Sequence, residues 1–217
     1  MKRLNACVGR SAAIMMLSVG LLSLPATGTA QVTYVGQAAA VSLSVLGAIH
    51  VSISDTGALP ASGGALASEL LSATVPNILQ ADVLTASTQG AESTTTSQAS
   101  VADVSLTVLG IDIKASVLTS NASASCVTYP PTVSGSSSIA SLTVNGLSVE
   151  VTGAPNQTIP LLVAELVINE QIPTITYVGG APHVEMLVNA LHLKAGGLAD
   201  VAIASSLAGM NCLNAEQ

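Results

Sequence analysis

Three histidines, His50, His183 and His192, are the only imidazoles in the chain, and they pose the first chemical question. A zinc site needs three or four ligands, and His183 with Glu185 has the i, i+2 spacing that puts two side chains on one face of a strand. His192 lies an odd number of residues from His183, so an uninterrupted strand sends it to the opposite face unless a bulge intervenes. His50 sits among apolar neighbours, Ala48-Ile49-His50-Val51. All three read as structural, and no metal is assigned. Glu165 with Glu170, and Asp103 with Asp112, have spacings ordinary for the solvated side of a strand. Aromatic residues are 1% of the chain, so the usual sugar platform of a glycosidase is missing as well. A nucleophilic hydrolase would need His183 or His192 beside a serine and a carboxylate in a cleft. No G-x-S-x-G elbow is present, and the run Gly135-Ser136-Ser137-Ser138 reads as turn chemistry. Calcium held by loop carboxylates is the one cofactor left open, although no D-x-D-x-D-G loop occurs. The chain is expected not to be an enzyme.

The cysteines and charges depend on where the mature chain begins. Lys2, Arg3 and Arg10 precede the apolar run Ser11 to Leu24, which is too short for a permanent span of about 20 residues. Pro25 ends the run, and Gly28-Thr29-Ala30 supplies small residues for cleavage between Ala30 and Gln31. Residues 1–30 are therefore expected to be a signal peptide, and residues 31–217 one exported domain with no transmembrane segment. Cys7 leaves with the leader, so Cys126 and Cys212 remain, an even pair that forms one disulfide in an oxidising compartment. Only Lys114 and Lys194 then stand against twelve acidic residues, a net charge of −10. Such a surface repels phosphate, which excludes nucleic acid as a partner.

The elements that must position these residues are strands. In Val101 to Val108 residues 102, 104, 106 and 108 are apolar while 103, 105 and 107 are polar, and after Gly110 the alternation resumes with Ile111, Ile113, Ala115 and Val117 on one side. Val41-Ser42-Leu43-Ser44-Val45-Leu46-Gly47 and Ser141-Leu142-Thr143-Val144-Asn145-Gly146 repeat that unit of strand and glycine turn. Asn145-Gly146 is the strongest hairpin signal, because both central residues of a type I′ turn need positive φ. Further strands are expected at 81–89, 92–100, 162–169, 173–178, 183–194 and 198–208. Turn-rich stretches fall at 55–64, 129–138 and 153–160, and Ala65 to Leu71 is the one short helix the pattern admits. About ten or more strands at this spacing predict an all-β antiparallel sandwich, with a barrel-like closure as the alternative. A transmembrane barrel would need two aromatic girdles, and three tyrosines cannot supply them.

Several runs, taken in order, carry a resemblance. They are Ala81-Asp82-Val83-Leu84-Thr85-Ala86-Ser87-Thr88, Val101 to Leu106, Leu142 to Gly146, Leu166 to Gln171, Val188-Asn189-Ala190-Leu191-His192-Leu193 and Leu198 to Ala204. Together they resemble the choice-of-anchor P family of bacterial surface proteins over roughly residues 35–212. The resemblance implies an exported domain without an assigned activity. Its matching positions include Asn189 and His192, of unknown role, and the cysteines Cys126 and Cys212. The chain departs from the pattern at Ala208 to Gln217, which carries no sorting motif, hydrophobic tail or basic cluster. The expected function is a secreted or cell-surface structural or interaction protein whose partner is unknown, with self-association through strand edges as one form of it. The alternative is an extracellular binder of a small ligand or glycan at one end of the sandwich. A periplasmic location fits both.

Overall fold

The computed structural model describes residues 32–47 and 49–213. The leader, with its expected cleavage between Ala30 and Gln31, lies outside them. Twelve strands follow one another: β1 (Thr33–Val45), β2 (Ile49–Asp55), β3 (Gly64–Val75), β4 (Leu79–Ala91), β5 (Thr94–Val108), β6 (Ile111–Ser125), β7 (Thr132–Val144), β8 (Leu147–Ser148), β9 (Gln157–Pro160), β10 (Glu165–Val178), β11 (Ala181–Ala195) and β12 (Ala199–Asn211). They form two antiparallel sheets of six strands each. Sheet A runs in the order β2-β1-β12-β11-β10-β9, and sheet B in the order β3-β4-β5-β6-β7-β8. Both sheets keep free edges, so the molecule is a sandwich and not a closed barrel.

The turns are those the residues demand. Asn145-Gly146 has φ of 52° and 78°, Leu109-Gly110 of 53° and 77°, and Leu46-Gly47 of 52° and 64°. Positive φ at both central residues matches the right-handed twist of the flanking strands. Three expectations are corrected. Residues 65–71 are not a helix but part of β3, paired with β4 from Ala65 to Leu70. Helix-forming Ala, Leu and Glu are overruled there by the ladder, since strand preference is mostly a matter of neighbours. Residues 132–138, read as turn, begin β7, because the ladder with β6 runs unbroken from Ser125–Thr132 to Leu118–Ile139. The expected strands 162–169 and 173–178 are joined in the single strand β10, which begins at Glu165, so residues 162–164 lie outside it.

The regular alternation does not survive the length of the strands. In β5 the buried residues are Thr95, Ser97, Ala99 and Val101, then Val104, Leu106 and Val108. In β6 they are Ile111, Ile113 and Ala115, then Leu118, Ser120, Ala122 and Ala124. Val117 is therefore not on the side of Ala115, as the sequence suggested, but 53% exposed. Partners on either side of the change stay in step: Leu84, Val101, Leu118 and Ile139 form one row, Asp82, Asp103, Ser116 and Ser141 another. No residue is inserted, so this is a reversal of the pleat and not a bulge. It is made by left-handed residues on alternate strands, Val83 (φ 47°) and Val117 (φ 48°) in sheet B, Ser54 (48°), Ala204 (49°) and Asn169 (52°) in sheet A. A left-handed L-residue costs roughly 1–2 kcal/mol, and the ladders on both sides hold it there. The result is a fold line across each sheet.

The fold line divides the core into two kinds of interior. Toward the Leu109-Gly110 end it is aliphatic, filled by Leu43, Leu106, Ile113, Leu142, Leu166 and Leu193, all at most 2% exposed. Toward the other end the inner layer of sheet B is built of small and hydroxyl side chains, Ala86, Thr88, Thr95, Ser97, Ala99, Ser120 and Ala122, and it faces Val184, Met186, Val188 and Met210 of sheet A. There the Ser97 hydroxyl donates to the Leu207 carbonyl of the opposite sheet at 2.5 Å, and the Thr95 hydroxyl to that of Gly209 at 3.0 Å. A side chain as short as serine can reach a carbonyl of the facing sheet only where the layers are closer than the usual separation of about 10 Å. Gly135 belongs to the same close approach, since a Cβ there would stand 2.5 Å from Val188 Cγ2. Cys126 and Cys212 close this thin end with a disulfide between the sheets, Cα–Cα 5.6 Å.

Candidate functional site

Two of the residues marked in the sequence come together at the fold line of sheet A. Asn189 and His192 are three apart on β11, and regular alternation would part them. Ala190 and Leu191 both turn inward, with 0% and 1% exposure, so Asn189 and His192 share the outer face. Between them lies Glu170 of β10, the ladder partner of Asn189. The Glu170 side chain is only 5% exposed. Its Oε2 accepts from Asn189 Nδ2 at 2.7 Å and from His192 Nδ1 at 2.5 Å, and its Oε1 accepts from Lys194 Nζ. His192 Nε2 donates to Asp200 Oδ1 at 3.0 Å.

The electrostatics follow from this arrangement. Burial alone would raise the Glu170 carboxyl, but hydrogen bonds from His192, Lys194 and Asn189 and the charge of His192 outweigh it and bring it down to about 2. Burial would likewise lower His192, and the bonds and charges of Glu170 and Asp200 overcome it, so its pKa is raised. Two carboxylates then face one imidazolium and one ammonium, and the cluster is neutral as a whole. Each ring nitrogen of His192 is engaged by a carboxylate, which leaves no lone pair to take a proton from a nucleophile. The arrangement acts as a clasp across the pleat reversal.

The other histidines are elsewhere. His183 does share the outer face with His192, because the pleat reverses between them, so the expected opposition of faces does not hold. Nine residues of strand nevertheless keep them roughly 30 Å apart. His183 Nδ1 is 2.8 Å from Asn211 Oδ1, and its Nε2 lies 3.4 Å from Glu185. His50 is exposed on β2 opposite Ser44. Among the described residues no three His, Cys, Asp or Glu side chains are grouped to hold a metal ion.

A second feature lies on the outer face of sheet B, over the thin end of the core. Where the small inner residues let sheet B sink toward sheet A, its outer face is dished into a cavity of about 740 Å³. Two cross-strand rows line it: Ala67, Ser87, Gln98, Asn121 and Ser136 in one, Ala65, Gln89, Thr96, Ser123 and Ser134 in the other. The lining contains no charged and no aromatic side chain. None of its outward amides and hydroxyls has a hydrogen-bond partner within the described residues. Beyond the dish, by contrast, hydroxyls pair with each other, Thr119 with Ser138 and Ser116 with Ser141, both at 2.7 Å. Val83 and Val117, 51% and 53% exposed, stand along the fold line beyond it. This cavity thus opens on a face of the sandwich and not at one end of it. Sequence reasoning passed over both Glu170, taken for an ordinary solvated residue, and this dish. The run Leu166-Val167-Ile168-Asn169-Glu170 held a signal for the first, an Asn-Glu pair at the end of an apolar stretch.

No family model matches the chain, and neither the curated proteins nor the solved structures contain a match.

Proposed function

We propose that the protein is an exported, non-enzymatic interaction domain of the bacterial cell surface or its surroundings, and that its working surface is the dished outer face of sheet B. The observation that carries this reading is the contrast between two polar regions. In the clasp the titratable groups are committed to one another, while in the dish every outward amide and hydroxyl is left to a partner. Export is supported by the leader-like residues 1–30 and by a disulfide that needs an oxidising compartment. The order of motifs shared with the choice-of-anchor P family agrees with it. The test is cellular. The protein should be recovered outside the cytosol, oxidised, with Gln31 as its first residue. Labelled protein should adhere to the cell envelope, and Gln98→Arg in the dish should reduce adhesion while Lys114→Ala outside it should not. Recovery from the cytosol with free thiols, or adhesion indifferent to the dish, overturns the reading.

A second reading, self-association, is favoured by the sheet edges. β8 covers β7 only at Thr143 and Val144, so the edge from Thr132 to Ser141 has no neighbouring strand and carries neither charge nor proline. The free edge of β10 is better protected, since the Asn156 side-chain oxygen accepts from the Gln171 N–H at 2.8 Å and Pro173 offers no N–H. Sedimentation at rising concentration tests this, and a monomer throughout removes it.

A further inference from the structure

We propose that the dish on sheet B binds a neutral, polyhydroxylated chain: a glycan free of carboxylate, sulfate and phosphate groups. The inference rests on the reading of that face as the working surface and adds the chemistry of its ligand.

Charge decides first. An acidic glycan would bring negative charge to a lining that holds no cation, on a chain with twelve acidic residues. A cationic ligand would find no carboxylate in the dish. Polarity decides next. Gln89, Gln98 and Asn121 each present an amide that both donates and accepts, and the serines and Thr96 present hydroxyls that do the same. An apolar ligand would strip water from these groups and return nothing, at about 1–3 kcal/mol for each group left unpaired. Vicinal hydroxyls return both functions, donor for acceptor. The absence of aromatic rings argues against a single sugar held by stacking. A volume of about 740 Å³ lies within the range of sites for ligands larger than a monosaccharide.

Shape then points to a chain. Successive strands lie about 4.8 Å apart, so a row crossing β3 to β7 is roughly 19 Å long, and the two rows run side by side. A linear glycan laid along the rows would meet a fresh amide or hydroxyl at every strand. Each contact is open to water and contributes little by itself, so affinity must build with the number of residues engaged.

The experiment is affinity electrophoresis of the disulfide-bonded protein in gels containing dextran, mannan or a β-1,3-glucan, with polygalacturonate and alginate as acidic controls. Retardation is expected in at least one neutral gel and in neither acidic one. Affinity should rise at least tenfold from a disaccharide to a hexasaccharide of the retarding glycan. Gln98→Ala with Asn121→Ala should weaken binding at least tenfold. Both side chains are exposed and make no internal hydrogen bond, so unchanged thermal unfolding will show that the fold is intact. Retardation only by the acidic glycans, or no loss in the double variant, overturns the proposal. Envelope adhesion separates the two levels of failure. Adhesion that falls in the double variant, yet survives periodate oxidation of the envelope glycans and is abolished by protease treatment of the envelope, leaves the surface standing and refutes the ligand class. Adhesion that ignores the double variant refutes both.

Discussion

Replacing Glu170 by glutamine should remove a pH-dependent part of the stability that can be worked out from the clasp. The carboxyl titrates near 2 in the folded protein against an ordinary value of 4.5. Because the folded pKa is the lower one, the stabilisation is complete above the unfolded value and disappears as the pH falls through the folded value. A separation of that size corresponds to about 3.4 kcal/mol at neutral pH, and linkage leaves about 1.4 kcal/mol of it at pH 3. The Lys194 partner of Glu170 is 40% exposed, so solvent screening makes the figure an upper bound. Between pH 5 and pH 3, below the ordinary histidine value of 6.5 and the raised folded one, His192 is protonated in both folded and unfolded chains and adds no slope of its own. The assay is urea unfolding of the wild type and Glu170→Gln from pH 6 to pH 2. At pH 6 the variant should be less stable by about 3 kcal/mol or more, since removing one partner strands the other buried charges. The gap should then close by about 2 kcal/mol between pH 5 and pH 3, a shift of roughly 1 M urea in the difference of midpoints. A gap that stays constant through that range would mean that Glu170 is not held ionised by its neighbours, and the clasp as described would be wrong.

Three further perturbations test the fold that carries these sites. Replacing Cys126 and Cys212 by serine opens a loop spanning 86 residues, and the chain-entropy relation gives a loss of about 4.6 kcal/mol, read as the difference between urea curves of the variant and the oxidised parent. Gly135→Val sets a side chain against Val188 and Met186 where the sheets are closest, and should cost about 1–3 kcal/mol in thermal unfolding and reduce binding at the dish as β7 is pushed outward. Val117→Asn, at a left-handed and half-exposed position, should leave the melting temperature unchanged or raise it by the equivalent of up to about 1 kcal/mol. A loss of 2 kcal/mol or more there would place Val117 in ordinary strand geometry.

The sequence announced the hairpins and the strand-rich class because both rest on neighbours in the chain, and the cysteine pair because the two cysteines after residue 30 admit only one pairing. Asn145-Gly146 and Leu109-Gly110 are turns for reasons contained in two residues. The pleat reversal is different. Val83, Val117 and Ala204 take a left-handed backbone that nothing in their side chains requests, and Asn169 alone is of a type at home there. What fixes them is the row of partners across the sheet, which no local window contains. The consequences follow from that one omission: Val117 was placed on the wrong side, His183 and His192 on opposite faces, and Glu170 in solvent. Asn189 and His192 were noticed only through their place in a set of motifs, without the carboxylate that joins them.

The same fold line explains why the clasp and the dish occur in one molecule. On sheet A, the reversal makes two successive residues of β11 turn inward, and the outer face there must bridge a discontinuity. A chain with so few cations places Lys194, one of the two lysines after residue 30, at that bridge with Glu170 and His192. On sheet B, the reversal separates an aliphatic half from a thin half, and the outer face carries a cavity of about 740 Å³ over the thin half and a smaller one of about 520 Å³ over the aliphatic half. The inner layer of the thin half has to be small for the sheets to approach, which is why serine, threonine, alanine and glycine fill it in place of leucine. Thickening that layer should therefore act on the outer face. Ser97→Leu, at a side chain that points into the core and not into the dish, should flatten the dish and lower glycan affinity while leaving Gln98 and Asn121 in place. An enlarged inner residue that left binding untouched would show that the concavity has some other origin than the narrowness of the core beneath it.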